Sequence, residues 1–119
     1  MEHVFWWVEL SVRPGCFDDF QKLTGEMVAS TSTETGVLAY RRFIGADQRT
    51  VYVHECYENS EAAVAHLRQF VAIFSKRYGA LVERKRFLVF GEPSDELRAM
   101  LDNYGALYHQ PLGLFPYWG

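Results

Sequence analysis

Apolar residues recur along this chain at two periods, and the places where the period changes mark its elements. From His3 to Arg13 the sequence is dense in Val, Phe and Trp, and Pro14-Gly15 then stops it, the punctuation of a strand running into a turn. From Phe17 the apolar positions become Phe17, Phe20, Leu23, Met27 and Val28, spacings of three and four that fit one face of a helix, with Asp18 and Asp19 suited to its positive first turn. That helix frays near Ser30 to Thr35 and ends at Gly36. Val37 to Ile44 and Arg49 to Tyr57 are rich in β-branched and aromatic residues, and Gly45-Ala46-Asp47-Gln48 between them has hairpin chemistry, so the two should pair antiparallel. Asn59 or Ser60 caps a second helix carrying Ala62, Ala63, His66, Leu67, Phe70 and Phe74 and stopping near Gly79. Val82 to Phe90 reads as a fourth strand closed by Gly91-Glu92-Pro93, and Ser94 opens a short helix to about Leu101.

The order β-α-β-β-α-β is that of an α+β ferredoxin-like sandwich, whose crossovers put both main helices on one face of a four-stranded sheet. Residues 1–93 form that unit, and 94–119 are a helix and tail extending the same domain. The other sheet face is then bare, yet the first strand is apolar on both sides, with Val4, Trp6, Val8 and Leu10 opposite Phe5 and Trp7. The third strand likewise sets Val51, Val53 and Tyr57 opposite Tyr52 and Cys56. A solvated face would alternate cleanly with polar residues. A second copy related by a two-fold axis is the simplest cover, which predicts a sheet-to-sheet homodimer. Folding back of the C-terminal appendix is the alternative. The tail from Tyr104 to Gly119 is aromatic and marked by Pro111 and Pro116, which should keep it irregular. It is expected to pack across the partner or to close a pocket mouth.

Composition narrows the possible partners. The chain has 119 residues, 49% of them apolar and 16% aromatic. One domain with a single core follows from that length, and the surplus of rings fits a lined cavity or a large interface. A net charge of -3 gives no electrostatic reason to expect nucleic acid or an anionic membrane. The first fifteen residues have no basic leader and carry Glu2 and Glu9, so neither a signal peptide nor a spanning helix is expected, and the location should be cytoplasmic. Cys16 and Cys56 show no metal or redox spacing and read as free thiols. His3, His54, His66 and His109 lack metal-ligand spacing, so no metal is expected.

Three segments resemble the antibiotic-biosynthesis-monooxygenase family. Glu9-Leu10-Ser11-Val12-Arg13-Pro14-Gly15 looks like its first strand with the Pro-Gly stop, and Gly36-Val37-Leu38-Ala39-Tyr40 like the glycine-led start of its second. The run from His54 to Leu67 resembles the family's strand ending in Glu-x-aromatic, followed by a helix bearing Ala and then His-Leu. Together these cover about the first ninety residues. The resemblance implies a dimeric α/β barrel with a pocket in each subunit between helices and sheet. It also implies oxidation of a small phenolic, quinol-like or polyketide aromatic by dioxygen, with no metal, flavin or other cofactor. Two departures limit it. Arg68-Gln69-Phe70-Val71 stands where many relatives have a second His, and the first strand lacks the Asn on which the haem-degrading branch relies.

Cofactor-free oxygenation needs a base to make the electron-rich anion that can reduce dioxygen, and His is the side chain suited to that near neutrality. His66 is the family-matched candidate; its plainer role is a hydrogen-bonded residue at a helix edge. His54 and Glu55 point to opposite faces of their strand and cannot form a dyad. Glu55 is expected to orient a donor or to pair with Arg41 or Arg42, the ion pair being its plainer role. Tyr40 and Tyr57 could hold a substrate oxygen, and Trp6, Trp7 and Phe70 could wall an aromatic ligand, with simple core packing as the alternative. Only one of Trp6 and Trp7 can face the helices. Glu83-Arg84-Lys85-Arg86 reads as a solvated strand face. Two other readings stay open: a non-oxidative isomerase or decarboxylase of an enolisable metabolite, and a ligand-binding or stress-response dimer without catalysis.

Overall fold

The computed structural model describes residues 3–116. Strand β1 (Val4–Val12) runs through the centre of the sheet, and its alternation is visible as burial: Val4, Trp6, Val8, Leu10 and Val12 are buried, while the residues between them are more open. Helix α1 (Phe17–Thr31) buries Phe20, Leu23, Met27 and Thr31. Val28 was expected on that face but is 43% exposed, because Thr31, one turn beyond Met27, takes the next core position instead. Strands β2 (Val37–Ile44) and β3 (Thr50–Tyr57) form the expected hairpin. Its turn is tied by Asp47, whose carboxylate accepts from the Arg49 and Thr50 amides at 2.9 and 3.0 Å and from the Thr50 hydroxyl at 2.8 Å.

Helix α2 (Ser60–Ile73) starts at Asn59, whose side chain accepts from the Ala62 amide at 2.9 Å. The single helix expected to run on towards Gly79 is instead broken at Phe74 (φ -116°), and α3 (Ser75–Leu81) follows. Phe74 is anchored in the core, and the Ser75 hydroxyl donates to the Val71 carbonyl at 3.1 Å, a back-bond that bends helices. Strand β4 (Val82–Gly91) and the Ser94-capped helix α4 (Asp95–Leu101) come next, and α4 buries Leu97 and Leu101.

The sheet order is β2-β3-β1-β4, the ferredoxin-like arrangement, extended by a fifth strand that the sequence did not announce. This is β5 (Leu107–His109), pairing parallel with β4, so the tail is regular where irregularity was expected. The prolines lie beyond it and leave its amides available for pairing. Tyr117 and Trp118 lie outside the described residues.

Two bulges set which side chains face the helices. On β4, Glu9 pairs with Arg86 and Leu10 with Arg84, so Lys85 is the extra residue. On β2, Val37 and Ala39 pair with consecutive residues of β3, so Leu38 is extra and 51% exposed. Each bulge reverses the alternation beyond it. Val82 and Arg84 thereby join Phe87 and Val89 on the helix side.

The opposite face carries a row of rings. Trp7 stacks on His54 at 4.6 Å, and Phe90 stacks on both Phe5 and His109 at 5.0 Å. Trp7, Phe43, Tyr52 and Leu107 on this face are 36–59% exposed. Among the described residues, no helix is long and apolar enough to cross a membrane.

Candidate functional site

The helix-facing side of β2 and β3 carries polar groups where the rest of the core is apolar. Tyr40 and Arg42 project from β2, and Glu55 and Tyr57 from β3, all on one face because each pair is separated by two residues. His66, placed by the Asn59 cap two turns into α2, descends onto them. Glu55, Tyr57 and His66 are buried, and the Arg42 side chain is only 8% exposed.

Glu55 is the centre of the cluster. Its Oε2 accepts from Arg42 Nη2 at 2.7 Å, its Oε1 accepts from the Tyr57 hydroxyl at 2.6 Å, and the same Oε1 lies 3.6 Å from His66 Nε2. Burial works against its charge, but Arg42 and His66 and the hydrogen bonds from Tyr57 and Arg42 prevail and hold the carboxyl below its ordinary value. Tyr57 is pushed the other way. Burial, then the adjoining Glu55 carboxylate, keeps its hydroxyl proton on well above the usual phenol range. Burial also raises Tyr40 and takes Tyr78 up to about 12.

The other ring nitrogen of His66 meets Glu34, with Nδ1 at 3.0 Å from Oε1 and 3.3 Å from Oε2. A carboxylate only accepts, so Nδ1 is the donor there. Glu34 comes from the turn after α1, and Gly36 fixes that turn against α2. With φ +85° it occupies the left-handed region, and a Cβ would meet the Ala62 Cβ at 2.7 Å and Glu58 Oε1 at 3.0 Å. The Tyr40 ring stands edge-on to the imidazole with centroids 5.3 Å apart, and the Arg42 guanidinium lies 3.6 Å above the Tyr40 ring centre.

A cavity of about 40 Å³ adjoins this cluster, bounded by Arg42, Glu55 and His66 on one side and by Trp6, Phe70 and Tyr78 on another. The remaining wall is Arg84, Phe87 and Tyr104. Phe87 and Tyr104 stack nearly parallel, 6.0 Å and 9° apart, and the Arg84 guanidinium covers Tyr104 at 4.8 Å. The space is enough for a water or two and too small for an aromatic ring.

Of the residues singled out from sequence, Trp6, Tyr40, Glu55, Tyr57, His66 and Phe70 all converge here. Trp7 does not. It lies on the opposite face of the sheet with His54, because neighbours on a strand point opposite ways. Arg84 was expected in a solvated run, and the bulge at Lys85 turns it towards the cavity. Lys85 and Arg86 do stay outside, paired with Glu83 at 3.0 Å and Glu9 at 3.1 Å. Glu34, Tyr78 and Phe87 were not singled out, whereas Tyr104 opens the tail expected to pack across the partner or to close a pocket mouth, and it stands in the cavity wall. Tyr78 and Phe87 follow apolar spacing already expected of core, whereas nothing local marks Glu34.

Comparison with known proteins agrees with this fold. Among curated proteins, none matches the chain in sequence. The structure of MupZ from Pseudomonas fluorescens superposes with a TM-score of 0.85 at 18% identity, covering 98% of this chain and 96% of that one, and so includes the C-terminal appendix. A conserved protein from Methanosarcina mazei Go1 gives 0.67 at 15% identity, over 79% of this chain and 95% of its own. SnoaB from Streptomyces nogalater, described as a cofactor-independent oxygenase, gives 0.66 at 13% identity over 79% and 96%. At such identities these likenesses establish the fold. The family model for antibiotic biosynthesis monooxygenase matches residues 4–83, well over half of the sequence, and the chain belongs to that family.

Proposed function

We infer that the protein is a cofactor-independent monooxygenase acting on a small phenolic, quinol-like or polyketide aromatic, with His66 as the base. The observation that carries this reading is the line Glu34–His66–Glu55, which holds one buried imidazole between two carboxylates beside an aromatic-walled cavity. Glu34 takes the Nδ1 proton and fixes the ring, leaving Nε2 on the side of Glu55 and the cavity. A substrate O–H or acidic C–H delivers its proton to Nε2. The anion passes one electron to dioxygen, and coupling of the resulting pair forms a C–O bond. Loss of water then leaves a new carbonyl, one oxygen atom going to product and one to water. Tyr57 and Arg42 hold Glu55 in place, Trp6 walls the substrate ring, and Tyr40 orients His66 edge-on. SnoaB shares this fold and is described as a cofactor-independent oxygenase, which supports the reading.

The cavity must enlarge to admit a substrate. Tyr104 is the wall best placed to move, since it belongs to the C-terminal appendix and is held by stacking and an Arg84 contact. The working form is a homodimer joined through the ring-bearing face of the sheet, in line with the apolar exposure of Trp7, Phe43 and Tyr52.

Dioxygen consumption with anthrones, naphthoquinols and catechols, measured on metal-stripped protein beside His66→Ala, tests the assignment. Uptake in the parent and its loss in the variant are expected. A second reading, proton transfer without oxygen in an isomerase or decarboxylase, is favoured by the acid–base pairing of His66 with a carboxylate on each nitrogen. It predicts substrate deuterium exchange at an enolisable carbon with no oxygen uptake.

A further inference from the structure

Among the described residues, three buried side-chain polar atoms have no hydrogen-bond partner: Thr24 Oγ1, Arg42 Nε and Arg42 Nη1. Buried polar groups are nearly always partnered, so each such atom calls for an explanation. These three belong to two residues, and both residues line the same groove. It lies between α1 and the β2–β3 hairpin, holds about 210 Å³, and apart from Gln21 is otherwise apolar, with Phe17, Phe20, Ile44 and Val51 among its walls. A threonine inside a helix ordinarily turns its hydroxyl onto the carbonyl of the preceding turn, and that of Thr24 does not. Arg42 is the one charged residue in the lining, and the carboxylate that balances it, Glu55, lies towards the central cavity instead.

We propose that this groove is a second binding site, for an apolar, ring-sized group bearing an acceptor oxygen without a proton, either a carboxylate or a ketone, received by Arg42 and Thr24 once the two side chains turn their closed-off polar atoms towards it. An arginine offers donors only, so whatever satisfies Nε and Nη1 must accept. The apolar walls supply the rest of the affinity, as in most small-molecule sites. Arg42 lines the groove and the central cavity alike and so joins the two spaces. The proposal concerns binding and stands whether or not the central site performs oxygenation.

Titration calorimetry on the full chain with 1-naphthoate, 1-acetonaphthone and 1-ethylnaphthalene tests it. The expected result is saturable binding of one or both oxygen-bearing probes, at least tenfold tighter than the hydrocarbon, which is roughly the value of one hydrogen bond. Preference between them tells a charged from a neutral acceptor. Thr24→Val keeps the shape and should weaken the oxygen-bearing probes by roughly tenfold, leaving ethylnaphthalene unchanged and the melting temperature unchanged or raised. Gln21→Trp, on the exposed side of α1 at the groove, should abolish all binding without disturbing the core. Three equal affinities would mean that water satisfies these atoms and would overturn the proposal. So would the absence of saturable binding at millimolar concentration, or binding that survives Gln21→Trp.

Discussion

Arg42 and Glu55 neutralise each other in a place where neither would tolerate being charged alone. Removing one partner of a buried pair strands the other, at a cost on the order of 3–5 kcal/mol. Glu55→Gln should therefore lower the melting temperature sharply, and a variant melting like the parent would refute the importance of the pair. The same residue sets an acid limit. Because its carboxyl is held below the ordinary value of 4.5, the stability it contributes is fully present above that pH and is lost as pH falls through its depressed value. The parent should thus lose melting temperature below about pH 4.5 more steeply than Glu55→Gln. Glu34→Gln leaves a neutral acceptor against His66 Nδ1. It should reduce turnover by roughly tenfold to a hundredfold, as loss of an orienting partner does elsewhere, and displace the pH–rate profile with little change in melting. An unmoved profile would make Glu34 merely structural. Glu55, Tyr57 and Tyr40 could be picked from sequence because they fall on strands that resemble the family's, and His66 because it falls in the family-like helix. Glu34 sits in a turn, where no period exists to mark it.

At the scale of elements, the strands and main helices were legible because each shows a clear hydrophobic period, and the misses fall where the period is interrupted. The bulge at Lys85 is such a place. By simple alternation from Phe87, Arg84 points to solvent, yet the extra residue turns it and Val82 inward. Deleting Lys85 should leave that facing intact, because Arg84 then directly precedes Arg86 and plain alternation from Phe87 keeps Arg84 and Val82 inward, so the loss should be no more than about 1 kcal/mol. Lys85→Ala, which keeps the backbone count, should change stability by no more than about 0.5 kcal/mol. Chemical denaturation checks both, and a loss of several kcal/mol on deletion would show that the extra residue is not what sets the facing. Gly36 acts the same way at a turn. Gly36→Ala must strain a φ of +85° and displace α2 from a 2.7 Å contact, which should cost at least about 1–3 kcal/mol. It should also move Glu34 relative to His66, so turnover should fall further than stability alone would explain. Strand β5 was missed because three residues are too few to show alternation.

Considered as a whole molecule, the chain buries one face of its sheet under four helices and leaves rings on the other. Trp7, Phe43, Tyr52 and Leu107 are 36%, 53%, 42% and 59% exposed, and they share that face with the His54–Trp7 and Phe5–Phe90–His109 stacks. Among the described residues the appendix does not cover it: β5 joins the sheet edge and adds Leu107 to the same face, while Leu112 and Phe115 stand fully exposed beyond. A self-complementary two-fold contact buries such a face completely, each ring meeting the partner's sheet. Multi-angle light scattering at micromolar concentration should therefore return twice the 13.8 kDa of the chain. Phe43→Glu places a charge on that face without touching the core, because Phe43 points away from the helices opposite Tyr52. It should give a monomer with an intact far-ultraviolet spectrum. Truncation before Leu107 should weaken the dimer less, since it removes one contributor at the edge and spares the centre. A parent that scatters as a monomer would leave the ring-bearing face without its proposed cover. A Phe43→Glu protein that remains dimeric would place the contact elsewhere on the molecule.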